Sequence, residues 1–593
     1  MRALAPEGHS LQICPKHRLS LTATSSLCAI LLCLALATAA PAQQPATEKD
    51  THITPEQAKQ LFALVDELIQ FSSKETGLPV KSTVKRQLTT RAAVESYLKE
   101  KFDEDEGAKR LQKGEIVLKK FGLLDRDFAL KPFLLALLDE QIEAYYDSKT
   151  KTVNMLDWIS IDEQKPVLAH ELTHALQDQH SDLEKWNDQT PDEVSTNSSG
   201  DTDHVAKDEL DTARDAVAEG QATAVMMDYI LKPMGKSLVK DPEVMDFAKQ
   251  QMSASDNSPV LSRAPLMLSE SLLFPYREGL SFEQDVWMDK GQQAAFAGAL
   301  DRPPTSTWEI INPREYELKH SPPIPLMPDI HPLVDKVYKP YDIGQIGQLD
   351  LRILAELFGG DAASRDLTPA WDGGIYWAGQ KLSAKTPEEQ ADTKSLAIFY
   401  LSAWKNAASA QEFARLYANS LGRKYSGLKP DLEAQRSNAT KLAPGAPQNV
   451  SEEQVYTTSE GPVVITTRGK LVFVAESFDL DVARNLAALI LDAQGTGELK
   501  MAKLARPAGL PTQLGAPYLV RGGGETWEAM NQLGAPSMRR TSGAWVGSQE
   551  AGPQNAHSPT PVALEPLTAN LIHFFSDCGV MKAAVDEESR AIR

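Results

Sequence analysis

The stretch Val167-Leu168-Ala169-His170-Glu171-Leu172-Thr173-His174-Ala175-Leu176-Gln177-Asp178 contains the pattern His-Glu-x-x-His. Residues four apart lie on one face of an α-helix, so His170 and His174 can direct two imidazole rings at one ion. Glu171 lies beside the first histidine, where its carboxylate can act on water without being a ligand itself. Two neutral imidazoles and an open position are typical of catalytic zinc. We therefore predict one zinc ion per chain, with Glu171 as the general base.

The residues around this pattern predict that it lies on a buried helix. Apolar side chains flank both histidines, and Pro166 is expected in the first turn, after the acidic pair Asp162 and Glu163. The alternative is a chance occurrence of the pattern on a buried helix whose histidines make ordinary hydrogen bonds. A predicted β-hairpin around the turn Ser148-Lys149-Thr150, before the helix, and a glutamate-bearing helix after it favour the metal site.

A catalytic zinc usually takes three protein ligands, and the sequence offers two candidates for the third. His180 stands six residues after His174, which is the metzincin spacing, but that motif needs a helix-breaking glycine where this chain has Gln177. In a continuous helix, six residues rotate by about 240° and rise by about 9 Å, which would take His180 away from the ion. Glu219 lies on a second predicted helix with small, apolar neighbours, where a buried acid needs a partner such as a metal. We predict Glu219 as the third ligand and keep His180 as the alternative.

The N-terminus has the three parts of a secretory signal peptide. Basic residues precede an apolar run at residues 27–40 and small-x-small cleavage patterns, so we predict a signal at residues 1–42 and a mature chain that begins at Gln43. A retained membrane anchor is the alternative, although the run is short for a span. Only Cys578 of the four cysteines remains after cleavage, which excludes an intramolecular disulfide. We expect a secreted or periplasmic protein of bacterial type, without stable membrane insertion after cleavage.

The composition is that of an ordinary soluble protein with an acidic surface. The chain has 593 residues, of which 42% are hydrophobic and 24% charged, and its net charge is −20. Such a charge disfavours binding to nucleic acid or to an anionic membrane. The partner that we expect is a peptide or protein substrate. The sequence does not indicate an oligomeric state.

The order of elements predicts an α+β fold that is mainly helical. Residues 43–320 combine several helices with a short strand and the hairpin, and the proline-rich residues 321–345 predict a linker. Residues 346–500 show two strands and a helix twice over, a ββαββα pattern typical of a small sandwich-like domain. Residues 501–593 are rich in Gly, Pro, Ser and Ala with little periodicity, which predicts a poorly ordered tail.

Residues 144–178, followed by Ala218-Glu219-Gly220-x-Ala222-Thr223, resemble a group of secreted bacterial and archaeal zinc metallopeptidases of the gluzincin kind. The resemblance extends over about residues 55–490. Softer similarities lie at Phe274-Pro275-Tyr276-x-x-Gly279, Ser306-Thr307-Trp308-Glu309-Ile310-Ile311-Asn312-Pro313 and Ala370-Trp371-Asp372-Gly373-Gly374. The resemblance implies a zincin-like catalytic domain in residues 43–320, with an active-site helix and an edge β-hairpin.

Two positions depart from related patterns. Members of the group usually have a histidine where this chain has Asn312, which puts a role for that position in doubt. Thermolysin-like enzymes place an aspartate four residues after the glutamate ligand, and here that position is Thr223. The chain is therefore not a close relative of thermolysin.

These residues predict a secreted zinc-dependent metallopeptidase that hydrolyses peptide bonds. Glu171 would take a proton from water and return it to the leaving amine. The strand that contains Ala144, Tyr145 and Tyr146 is the predicted edge on which a peptide pairs as an added strand.

Several further residues are candidates for supporting roles. Asp178 and Asp215 each lie one turn from a predicted ligand and could accept the second N–H of a ligand histidine. Tyr276 is a candidate oxyanion donor, with Tyr229 and His331 as alternatives. Two other functions stay open: a catalytically inactive, zinc-stabilised scaffold that binds a surface or periplasmic partner, and a metzincin-like peptidase that uses His180.

Overall fold

The computed structural model of the chain describes residues 52–94, 106–141, 144–187, 189–191, 194–241, 244–245, 259–439 and 452–494. The predicted signal peptide at residues 1–42 and the predicted tail at residues 501–593, which includes Cys578, lie outside the described residues.

The described part of the chain is mainly helical. Its α-helices are α1 (Pro55–Thr76), α2 (Glu106–Phe121), α3 (Leu130–Gln141), α4 (Ile161–Ser181), α5 (Leu183–Asn187), α6 (Ser198–Lys207), α7 (Leu210–Leu231), α8 (Leu266–Lys290), α9 (Ala299–Asp301), α10 (Thr307–Ile311), α11 (Pro313–Leu318), α12 (His331–Val334), α13 (Gln348–Leu367), α14 (Pro387–Ala391), α15 (Ala407–Lys424), α16 (Leu432–Ala439) and α17 (Leu480–Ala493). A π-helical turn, Ala294–Gly298, precedes α9. Within the described ranges, none of the helices combines the length and apolarity that a bilayer crossing requires.

The strands form two sheets. They are β1 (Lys85–Thr89), β2 (Ala144–Asp147), β3 (Thr152–Leu156), β4 (Tyr338–Gln345), β5 (Trp371–Lys381), β6 (Leu396–Trp404), β7 (Lys429–Pro430), β8 (Glu452–Thr458), β9 (Gly461–Arg468) and β10 (Leu471–Glu476). The first sheet has the order β1-β3-β2, with β1 parallel and β2 antiparallel to β3. The second sheet has the order β4-β5-β6-β10-β9-β8-β7, and all its neighbouring strands are antiparallel.

The α+β, mainly helical fold class is confirmed, and the second sheet is larger than predicted. The two expected strand-strand-helix units are present, but they form one sheet because β6 pairs with β10. Strand β4 lies in the stretch that was predicted to be a linker. It is an edge strand, where Pro340 removes no hydrogen bond from the sheet interior, and its register shifts between Pro340 and Asp342. Pro340 is therefore compatible with an edge strand, whereas the prolines at positions 322, 323, 325 and 328 lie in a stretch without regular structure.

Helix α4 begins earlier than Pro166 predicted. Its N-cap is Ser160, whose hydroxyl accepts the Glu163 N–H, while the Glu163 carboxylate accepts the Ser160 N–H, which forms a capping box. Pro166 therefore lies inside the helix, near its N-terminus, and its expected place in the first turn is wrong. The Ser-x-x-Glu signature determines the start, and the helix then runs unbroken to Ser181.

Helices α7 and α8 cross with their backbones in direct contact. A Cβ atom on Gly220 would lie 2.3 Å from the carbonyl carbon of Gly279, and one on Gly279 would lie 2.1 Å from the carbonyl oxygen of Ala216. Only glycine fits at such a distance. The small residues of α7 thus permit a close approach, and the partner helix is α8.

Helix α2 packs against the second sheet. The ring of Phe121 lies edge-on to the ring of Tyr376 on β5, with centroids 5.5 Å apart. The fully buried ammonium of Lys120 pairs with Glu460 at 2.7 Å and donates to the Ser477 hydroxyl at 2.7 Å. Burial lowers the pKa of Lys120 to about 8, although Glu460 opposes that fall. A helix from the predicted catalytic region thus contributes to the core of the second sheet.

The contact between α7 and α8 predicts that Gly279→Ala lowers the free energy of unfolding. The added methyl group meets backbone that cannot rotate away, so we expect a loss of about 1–3 kcal/mol. The matched control is Gly422→Ala in α15, where no atom lies closer than 4.0 Å to the added Cβ. That change should raise the free energy of unfolding by about 0.5–1 kcal/mol, because alanine favours the helix. Urea titration of both variants tests the contact, and equal effects would contradict it.

Asp342 on β4 predicts a pH-dependent stability of the second sheet. Its carboxylate accepts the Tyr376 hydroxyl at 2.9 Å, and burial raises its pKa to about 7, although Lys113 opposes the rise. An unfolded aspartate has a pKa of about 3.9. Between these values the folded state retains a proton that the unfolded state has lost, so the free energy of unfolding falls as the pH rises from 4 to 7.

Asp342→Asn removes this titration. The free energy of unfolding of Asp342→Asn minus that of the wild type should rise by about 2–4 kcal/mol from pH 4 to pH 8. Urea titrations across this range measure the difference, with Asp372→Asn, an exposed aspartate on the neighbouring strand β5, as the control. A constant difference between wild type and Asp342→Asn over the whole range would show that this carboxyl does not titrate in the predicted way.

Candidate metal centre

Helices α4 and α7 bring together three side chains that could hold a metal ion. His170 and His174 lie one turn apart on α4, with their Nε2 atoms 3.0 Å from each other. Glu219 reaches them from α7: its Oε2 atom lies 3.0 Å from His170 Nε2, and its Oε1 atom lies 3.5 Å from His174 Nε2. Among the described residues, this is the only group of three or more His, Cys, Asp or Glu side chains whose ligand atoms come within 4.8 Å of one another.

The donor atoms fit a small tetrahedral cation. With bonds of about 2.0–2.1 Å, two ligands of a tetrahedral zinc lie about 3.3 Å apart, which is close to the separations in this group. All three side chains are buried, so their lone pairs are shielded from bulk solvent. Two imidazoles and one carboxylate also form a ligand set found in catalytic zinc sites. The residues present are therefore compatible with zinc in both geometry and chemistry.

The charges of the three side chains balance one another. Burial would raise the pKa of Glu219, but the two histidines lower it to about 2. Burial would lower the pKa of His174, but Glu219 raises it to about 9. The pKa of His170 is lowered, mainly by burial. Without metal, the site thus contains an ion pair between His174 and Glu219 beside a neutral His170. A cation would replace the proton of His174.

Glu171 lies beside this group but makes its hydrogen bond to the strand β2. Its Oε2 atom accepts the backbone N–H of Tyr146 at 2.8 Å, so its carboxylate faces the strand β2. Burial raises the pKa of Glu171 to about 8, and the charge of Glu219 adds to the rise, whereas His174 opposes it. A carboxyl group with a pKa near neutrality can both accept and release a proton at physiological pH.

Strand β2 is one of the two edge strands of the first sheet. Ala144, Tyr145 and Tyr146 are all buried, and Tyr146 pairs with Val153 of β3 in the antiparallel register. The Tyr146 N–H that Glu171 accepts is therefore on the outer edge of the sheet. Pairing of a peptide with this strand stays a prediction.

Asp178 and Asp215 were predicted to accept the second N–H of a ligand histidine, but their hydrogen bonds at the site go to other partners. Asp178 accepts the Tyr146 hydroxyl at 2.7 Å and pairs with Lys151 at 2.7 Å, so it ties α4 to the hairpin. Asp215, one turn before Glu219 and fully buried, accepts the side-chain N–H of Asn187 at 3.2 Å.

Gln177 supports His174 instead, and sequence reasoning missed it. Its Oε1 atom lies 2.8 Å from His174 Nδ1. Its Nε2 atom donates to the carbonyl of Ala218 at 3.0 Å and to the side-chain oxygen of Gln221 at 2.9 Å. From the sequence, Gln177 was interpreted only as replacing the helix-breaking glycine of the metzincin motif. Its spacing of three residues from His174, which places both side chains on one helix face, was the available signal.

Tyr276 on α8 lies next to the metal-binding group. Its ring is stacked on the His170 imidazole, with centroids 6.3 Å apart. Burial raises the pKa of Tyr276 well above its ordinary value, and the charges of Glu219, Glu171 and Asp215 add to the rise. The hydroxyl is therefore neutral, and it makes a hydrogen bond with the Glu219 side chain. Gly279, one turn along α8, sets the distance between this tyrosine and α7.

The two alternative oxyanion donors have other contacts. The Tyr229 ring packs edge-on against Phe71, with centroids 5.3 Å apart. His331 Nε2 lies 3.1 Å from Asp201 Oδ2, and its Nδ1 atom lies 3.0 Å from Asp335.

His180 and Asn312 also point to other partners. Because α4 continues through His180, this side chain is turned away from His174, and its Nε2 atom lies 2.9 Å from Asp301 Oδ1. Asn312 donates to the carbonyl of Trp308 and to the side chain of Gln348, both at 2.7 Å.

The site thus combines three convergent ligands, a separate buried carboxylate and a neighbouring phenol. Comparisons of the chain with protein-family models, with curated proteins and with solved structures found no match.

Proposed function

We propose that the chain is a zinc-dependent metallopeptidase with a zincin-like catalytic region of the gluzincin type. The position of Glu171 carries the proposal. Its buried carboxylate lies beside the His170–His174–Glu219 group, takes no part in it, and is oriented by the Tyr146 N–H. A structural zinc site is closed by four protein ligands, whereas a catalytic one has three and keeps a position open. The three ligands of this group agree with the catalytic case.

Each side chain of the site has a role in peptide hydrolysis. His170, His174 and Glu219 would hold the zinc ion. Bound zinc supplies Lewis acidity, which acidifies water and polarises a carbonyl group. Glu171 would accept a proton from the water that attacks the peptide carbonyl and would pass it to the leaving amine. The neutral hydroxyl of Tyr276 would donate a hydrogen bond to the oxyanion that develops on the carbonyl.

The substrate that this arrangement favours is a peptide in an extended conformation. Glu171 is bound to the outer edge of β2, so a peptide that paired with β2 would present its backbone carbonyls next to that carboxylate. Together with the predicted signal at residues 1–42, this indicates a secreted or periplasmic peptidase.

A metal-stabilised scaffold without activity is the second candidate. Its support is the burial of the site: Glu171 is 1% exposed, and Ala144, Tyr145 and Tyr146 are no more than 2% exposed. A scaffold would keep its partner binding when Glu171 is changed, because the carboxylate is not needed to hold the metal.

The ligand set predicts that the chain binds one zinc ion through Glu219 and not through His180. Glu219→Ala should leave the metal with two protein ligands and reduce zinc to well below one ion per chain. His180→Ala is the matched control, since its side chain contacts Asp301. Metal analysis after dialysis gives the zinc content of both variants and of the wild type. Zinc that is retained without Glu219 but lost without His180 would establish the metzincin ligand set instead.

If Glu171 is the general base, its substitution should reduce turnover without reducing metal binding. Glu171→Gln keeps the size of the side chain and removes its proton affinity, so we expect one zinc per chain and a loss of about 10²–10⁴-fold in kcat/KM on a peptide library. Glu184→Gln on α5, an exposed glutamate, should leave both quantities unchanged. Equal turnover by Glu171→Gln and the wild type would eliminate this mechanism. Zinc binding without any cleavage by the wild type would support the scaffold.

A further inference from the structure

We propose that Gln177 is a positioning residue that fixes the ring orientation and tautomer of His174, and that Gln221 and the π-helical turn Ala294–Gly298 fix Gln177 in turn. This inference rests on the proposed zinc site and names the residues that prepare one of its ligands.

The two contacts of the Gln177 nitrogen determine which end of the amide faces His174. The Nε2 atom lies 3.0 Å from the Ala218 carbonyl oxygen and 2.9 Å from Gln221 Oε1, and both of these atoms are acceptors. If the amide were flipped, its oxygen would face two other oxygens, and two buried acceptors would lose their donor. The Oε1 atom of Gln177 therefore faces His174 Nδ1, at 2.8 Å, as an acceptor.

The orientation of Gln221 is fixed in the same way by the backbone. Its Nε2 atom donates to the carbonyl oxygens of Ala295 at 2.9 Å and Phe296 at 3.0 Å. Both residues belong to the π-helical turn, in which the wider spacing of hydrogen bonds changes where carbonyls point. Because backbone carbonyls can only accept, Gln221 must present its oxygen to Gln177. Each hydrogen bond in the series from the π-helical turn to His174 therefore has a fixed donor and a fixed acceptor.

This direction leaves His174 with a single suitable tautomer. An acceptor at Nδ1 requires a proton there, so in the neutral ring the Nε2 atom carries the lone pair. That atom is the one that lies 3.0 Å from His170 Nε2 and 3.5 Å from Glu219 Oε1. Ligand histidines in zinc sites generally donate their second N–H to an acceptor, and here that acceptor is a neutral amide.

The two ligand histidines differ in this respect. His170 Nδ1 is buried and has no hydrogen-bond partner among the described residues. His174 is therefore the oriented ligand of the pair, and changes at Gln177 should act on it alone. Gln177 is fully buried between α4 and α7, which raises the alternative that it only fills space.

Two substitutions separate positioning from packing. Gln177→Leu fills a similar volume but offers no acceptor to His174. Gln177→Glu has the shape of glutamine and keeps the acceptor for His174. When its carboxyl is protonated, the single O–H can donate to the Ala218 carbonyl or to Gln221 Oε1, but not to both. The matched control is Gln179→Leu, the same substitution two residues along α4, where the amide bonds to the backbone of Lys81 and Ser82.

The first measurement is the affinity for zinc alone, by competition with a chelator. We expect a 10–100-fold weaker affinity for Gln177→Leu, as for other losses of a partner that orients a ligand. Gln177→Glu should stay within about threefold of the wild type, as should Gln179→Leu. Equal affinities of Gln177→Leu and Gln177→Glu, whether high or low, would overturn the inference, because a space-filling role does not distinguish them.

The second measurement needs neither metal nor activity. In the metal-free chain labelled with ¹⁵N-histidine, the Nδ1–H of His174 is present in the imidazolium as well as in the required neutral tautomer, so its protection by Gln177 is the quantity to measure. This proton should exchange slowly with solvent, and it is assigned by its loss in His174→Gln. The proton should persist in Gln177→Glu and exchange fast in Gln177→Leu. An unprotonated Nδ1 in the wild type would overturn the inference. A protected Nδ1 proton in a chain that neither binds zinc nor cleaves peptides would instead show that only the proposed function fails.

Discussion

The candidate metal centre depends on a charge that is buried between two helices. Glu219 is fully buried in α7, among alanines and a glycine, and it is nevertheless ionised because two histidines of α4 face it. An isolated carboxylate in such a place would be far less stable than one in water, so the packing of α7 on α4 requires a positive partner. The proton of His174 or a bound cation can meet this requirement. The same contact that holds the helices together is therefore compatible with a bound cation.

The sequence predicted the parts of the site that depend on local periodicity. The spacing of four between His170 and His174 places both on one face whatever the rest of the chain does, and the unbroken α4 takes His180 away from them as expected. Gln177 was not found, because its role depends on Ala218 and Gln221, which come from another helix. The placement of Asp178 depends on Tyr146 and was missed for the same reason.

In the fold, too, elements that depend on neighbouring residues were predicted, whereas contacts between distant parts of the chain were not. The hairpin of β2 and β3 and the strand-strand-helix units follow from alternation and turn residues. Strand β4 did not, since Pro340 reads as a linker unless its place at a sheet edge is known. The packing of α2 on the second sheet was also not predicted. It rests on the ion pair of Lys120 with Glu460, whose two residues are separated by 340 positions.

The crossing at Gly220 and Gly279 has a consequence for how specificity could diverge in descendants of this chain. Glu219 adjoins one glycine and Tyr276 lies three residues before the other, so a candidate ligand and the phenol beside it share one backbone contact. A mutation that displaced this phenol would also displace the candidate ligand, and selection would oppose it. The hairpin side carries no ligand. Under the proposed function, evolution could therefore alter substrate preference through β2, β3 and their turn while the helical side stayed constant.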